Sequence, residues 1–134
     1  MNAIVRHISR YRFSLMIIAA ILFLSFFKPP QTSLSEITNF DKMVHFGMYF
    51  GLSALIWIEY LVSHERCSRM RLLLGAVLMP IVLSGAIELA QKYLTTWRGG
   101  EWWDFASNTA GVLTAGIILS LIARKKKKNV NRAE

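Results

Sequence analysis

Four apolar stretches, at about residues 11–27, 43–62, 72–94 and 105–123, leave this chain few ways to fold. Each approaches or exceeds the ~20 residues that carry a helix across a bilayer core. Lipid offers the backbone no water, so a spanning segment must satisfy its own N–H and C=O groups, as an α-helix does. The expected fold is therefore all-α: a polytopic four-transmembrane-helix antiparallel bundle with short connections, one domain over residues 1–134. The 54% hydrophobic content is high for a soluble domain of this length.

Local signals refine the boundaries. The first stretch follows Arg6, Arg10 and Arg12, a flank shared with signal peptides. What comes after it is Phe-Phe-Lys-Pro-Pro rather than a small-x-small cleavage site, so it reads as an uncleaved span ended by Pro29 and Pro30. A polar linker over residues 31–40 leads to Asn39 or Asp41 as N-cap of the second span. Gly47 and Gly51, four apart, predict a close helix approach there. Pro80 predicts a freed carbonyl one turn back and a kink in the third span. Gly99 and Gly100 are expected to turn the chain through positive φ. Gly111, Ala115 and Gly116 are expected to permit close packing in the fourth.

Charge is sorted by loop. Twelve of the 16 basic residues lie at the ends and in the 62–72 turn, against Glu59, Glu65 and Glu134. The other side holds Lys28, Lys42, Lys92 and Arg98 against Glu36, Asp41, Glu88, Glu101 and Asp104. The positive-inside bias then places both termini in the cytoplasm and the polar loops outside, in a multi-pass protein of the bacterial cytoplasmic (inner) membrane. The net charge of +8 would suggest nucleic acid in a soluble protein. Here it belongs to a basic tail, 124–134, whose 124–128 cluster suits anionic headgroups, and no nucleic-acid partner is expected. Cys67 is the sole cysteine, which excludes an intrachain disulfide and a cysteine zinc site. Glu59, near the cytoplasmic end of the second span, is expected to pair with Arg66 or Arg69.

Ionisable and amide side chains collect at the outer mouth. Asp41 and Lys42 open the second helix, with His45 one turn below Asp41. Glu88 lies six residues, ~9 Å, from the outer end of the third helix, and Gln91 one turn above it. Asp104 opens the fourth helix and Asn108 is one turn deeper. A carboxylate as deep as Glu88 must be paired, hydrogen-bonded or protonated, and Arg98 is the expected bidentate partner. Capping is the plain alternative for Asp41 and Asp104, a headgroup contact for Lys42, and an interhelical hydrogen bond for His45. Trp97, Trp102 and Trp103 fit an interfacial aromatic belt.

The ordered set Asp41-Lys42-x-x-His45, Glu88-x-x-Gln91, Arg98, Asp104-x-x-x-Asn108-x-x-Gly111 resembles the VanZ-like family of small bacterial membrane proteins, over about residues 41–118. That family takes its name from a protein associated with low-level resistance to the glycopeptide teicoplanin. The resemblance implies a cell-envelope protein and marks the same residues as the outer cluster. Three functions stay open. One is recognition of an anionic, lipid-linked or glycopeptide-type ligand of the outer leaflet. The second is a membrane-embedded hydrolase or transferase using His45, Asp41 and Glu88 as acid–base groups, with Ser107 and Thr109 nucleophile candidates by position alone. The third is a structural scaffold. The ligand spacing matches no strong metal motif, so neither a metal nor a cofactor is expected, and no feature decides the oligomeric state.

Overall fold

The computed structural model describes residues 2–28, 30 and 33–133, without the side chains of 34, 35 and 126–133. Pro29 as helix stop, the start of the 31–40 linker, and the side chains of Lys126, Lys127, Lys128, Arg132 and Glu134 lie outside this description. Every regular element within it is helical: α1 (Ala3–Arg10), α2 (Arg12–Phe26), α3 (Phe40–Ser63), α4 (Arg69–Leu72), α5 (Met79–Leu94) and α6 (Trp102–Ala133). A π-helical stretch, Leu73–Leu78, fuses α4 to α5. Three of these units, Phe40–Ser63, Arg69–Leu94 and Trp102–Lys125, are long and apolar enough to cross a membrane. A fourth passes only if α1 and α2, bent 75° from one another, are taken together. Large apolar side chains such as Phe23, Val82, Leu89 and Ile117 face outward, which suits a lipid environment. The chain is built as a multi-pass membrane protein.

The α3–α6 pair is the most extensive contact in the molecule. Along α3 the buried positions His45, Tyr49, Leu52, Ser53, Ile56 and Tyr60 recur at helical spacing. Gly111 makes the close approach possible: a Cβ there would collide with the Phe46 carbonyl oxygen. Gly47 and Gly51 play no such part, since a Cβ on either meets nothing within 4 Å. The expectation from their spacing is thus corrected. Spacing alone does not say which face of α3 meets α6.

Pro80 carries the predicted consequence in a different form. Proline has no N–H for the Ala76 carbonyl four residues back; the helix loosens into the π stretch before it, and Ser53 Oγ of α3 donates to that carbonyl at 2.6 Å.

Two long-range side chains hold α2, which at 15 residues spans only ~22 Å. The Glu59 carboxylate accepts from the Phe13 N–H at 2.9 Å, the Ser14 N–H at 3.2 Å and the Ser14 hydroxyl at 2.5 Å. These are first-turn donors that no local side chain caps. Glu59 therefore caps α2 rather than pairing with Arg66 or Arg69. At the other end, Gln91 Nε2 donates 2.8 Å to the Ser25 carbonyl, which the helix leaves without a donor.

Helix starts also shift. The second long helix begins at Phe40, so Asp41 lies within its first turn, and Asn39 sits in left-handed conformation (φ 65°) without a side-chain cap bond. Neither acts as the expected side-chain cap. The last helix starts at Trp102 and continues through the basic tail instead of ending near residue 123.

Candidate functional site: a charged crevice at the α3–α6 mouth

The 95–101 loop sets the geometry. Thr95 Oγ1 lies 2.6 Å from the Gln91 carbonyl and 2.5 Å from the Arg98 carbonyl, able to donate its one proton to either. Gly100 presses on the last turns of α5, where a Cβ would collide with the Glu88 carbonyl oxygen. Every described glycine has ordinary φ, so close approach, rather than positive φ, requires Gly100. The Glu101 N–H then donates to Glu88 Oε2 at 3.1 Å. Folded back in this way, the loop projects Arg98 across to α3.

Arg98 Nη2 sits 3.3 and 3.4 Å from the two Asp41 oxygens, 2.6 Å from His45 Nε2 and 3.7 Å from Asp104 Oδ2. Lys42 Nζ lies 3.6 Å from Glu101 and 3.7 Å from Asp104 Oδ1. The expected Arg98–Glu88 pair does not form. Glu88 is held by a backbone N–H instead, and its Oε1 has no hydrogen-bond partner among the described residues. The guanidinium is recruited by α3 and α6 because two carboxylates and an imidazole face it there.

A hydrogen-bond chain fixes the imidazole. Asn108 Nδ2 donates to Ser84 Oγ at 2.8 Å, leaving its Oδ1 as acceptor for His45 Nδ1 at 3.1 Å. Nδ1 therefore carries the proton. Arg98 can only donate, so Nε2 presents its lone pair to the guanidinium. Asp41 and Asp104 both approach this same nitrogen, at 3.8 and 3.7 Å. The orienting group is thus Asn108 rather than Asp41. His45, Asp104, Asn108 and Ser84 are buried, whereas the Asp41 and Glu101 side chains are each 60% exposed and mark the opening.

Seven of the eight predicted residues meet here: Asp41, Lys42, His45, Arg98, Asp104 and Asn108 directly, and Glu88 through the Glu101 backbone. Gln91 does not. It turns to α2, as described above. Ser84 and Glu101 were not singled out; a serine one turn below Glu88 on an apolar helix gives no signal until Asn108 is placed opposite. Ser107 and Thr109 donate to their own helix, to the Trp103 and Phe105 carbonyls, and neither hydroxyl is bonded to His45. Trp102 and Trp103 lie exposed beside the crevice.

Chemically the crevice offers two exposed carboxylates and a guanidinium bonded closely to the His45 lone pair and by longer, exposed contacts to Asp41. Donor atoms of Asp41, His45 and Asp104 all lie within 4.8 Å of one another, close enough to share a cation, and Arg98 supplies positive charge against all three. Comparison with protein-family models, with curated proteins and with solved structures finds no match.

Proposed function

We propose that this chain is a VanZ-like protein of the bacterial inner membrane, with four spans and both termini cytoplasmic. In this reading its outward crevice recognises the polar head of an outer-leaflet, lipid-linked or glycopeptide-type ligand. The observation that carries the proposal is the placement of Arg98. Three carboxylates, Asp41, Asp104 and Glu101, pair with the two cations Lys42 and Arg98, so neither cation is free in the resting crevice. Yet the outermost partner of Arg98, Asp41, is mostly exposed and bound at 3.3–3.4 Å. An incoming phosphate or carboxylate can take its place, with bidentate geometry favouring the exchange. Trp102 and Trp103 border the mouth with apolar surface.

Binding of headgroup-labelled anionic lipid to the purified protein tests this. Arg98→Ala is expected to weaken it by about tenfold or more, the loss of one charge-assisted contact. Unchanged binding would overturn the proposal.

The Ser84–Asn108–His45 chain favours a second reading, acid–base chemistry on the same ligand. An imidazole with Nδ1–H fixed by Asn108 becomes a general base at Nε2 once an incoming anion draws Arg98 off that nitrogen. A folded His45→Ala protein that still binds the ligand but no longer turns it over would support it.

A further inference from the structure

The opposite end of the molecule holds a cavity of about 400 Å³ that belongs to none of this. It lies where α1, α2, α3 and the π stretch meet, the end that carries both termini. Its walls are apolar, among them Ile8, Leu15, Ile18, Ile56 and Met79, and its rim carries Arg71, His7 and the ring of Tyr11. We infer that this groove is a binding site for one anionic phospholipid of the terminal-side leaflet, an acyl chain between α2 and the π stretch and its phosphate on Arg71.

Three observations converge. First, the groove is kept open by backbone and by a missing side chain. The π stretch supplies Gly75 and Ala76 to the wall, and a Cβ on Gly75 would meet nothing within 4 Å. Second, the charge is uncommitted. Among the described residues no carboxylate pairs with Arg71 or Arg10; every ion pair lies at the other mouth. Glu59, the acid nearest α2, is already held by the Phe13 and Ser14 donors, leaving Glu65 as the one exposed acid described at this end. Third, depth and orientation agree. Gly75 lies four residues past Arg71, ~6 Å along the helix, so a phosphate on Arg71 would place the chain beside Gly75. α1 turns 75° away from α2 with Ile4 and Ile8 exposed alongside Arg6 and Arg10, the make-up of a helix lying in the interface. A volume of this size is within the range of small-ligand sites.

The site is independent of the outer crevice, and its test is separate. Full-length protein in detergent is equilibrated with phosphatidylglycerol or phosphatidylcholine, and retained lipid is counted by native mass spectrometry. Wild type is expected to hold one phosphatidylglycerol in preference to phosphatidylcholine. Arg71→Ala should lower that retention about fivefold, one interfacial arginine's share. Gly75→Leu should abolish it by filling the groove while leaving the melting temperature at or above that of wild type. Retention by Gly75→Leu equal to wild type would overturn the inference, because the lipid would then rest on the basic surface alone. Equal retention of the two lipids would also overturn it. So would a change of oligomeric mass in Gly75→Leu with lipid retention intact, which would make the groove an interface between copies.

Discussion

Asn108 illustrates how much one side chain can settle. Its amide donates to Ser84 and accepts from His45, which determines both the tautomer of the imidazole and the face it presents. Asn108→Ala leaves His45 Nδ1 without its buried partner and takes one from Ser84, and a buried polar group left unpaired costs about 1–3 kcal/mol. Thermal denaturation should therefore show Asn108→Ala clearly destabilised, and Ser84→Ala less so, since the Asn108–His45 bond survives. Equal melting temperatures for Asn108→Ala and wild type would contradict the hydrogen-bond chain. Arg98 teaches the converse. A guanidinium near Glu88 in sequence could have paired with it, but Gly100 pressed on the Glu88 carbonyl aims the loop at α3.

At the scale of helices, two predictions separate what spacing suggests from what packing does. Gly111→Ala should destabilise by about 1–3 kcal/mol through overpacking against the Phe46 carbonyl. Gly47→Ala and Gly51→Ala should be neutral or slightly stabilising, because nothing opposes their Cβ and alanine is the better helix former. Unfolding by detergent titration ranks the three; a larger loss at Gly47 than at Gly111 would refute the observed α3–α6 crossing. α2 offers the second case. Glu59→Ala removes the acceptor that, among the described residues, takes three donors in the first turn of α2, and should lower stability by about 1–3 kcal/mol. Glu59→Gln keeps an acceptor oxygen and should lose less. If the two variants melt together, capping is not what Glu59 does.

For the whole molecule, the orientation proposed from charge sorting has a direct check in the native thiol. Cys67 is exposed in the turn between α3 and α4. A membrane-impermeant maleimide should label it in inside-out vesicles and leave it unlabelled in intact cells. With Cys67→Ser as background, Trp103→Cys should show the reverse pattern. Labelling of Cys67 from outside would invert the topology and move the crevice to the cytosol, taking the proposed ligand with it.

Hydropathy announced the spanning helices because lipid forbids an unpaired backbone; three are long enough alone, and the short α2 also lies where its apolar run is. The crevice was legible for a related reason: ionisable groups in apolar helices must avoid lipid and find each other, so Asp41, His45, Asp104 and Asn108 could be grouped before any coordinate. Partner choice was not legible. Helical periodicity states which residues turn inward but carries no record of which helix lies opposite, so the roles of Gln91, Glu59, Gly47 and Gly51 were misread. Sequence by itself determined that these helices exist and that their polar groups must converge. Only the tertiary structure decided the pairing, because the fold of the 95–101 loop, pinned through Gly100, chooses among carboxylates that differ by a few ångströms in reach.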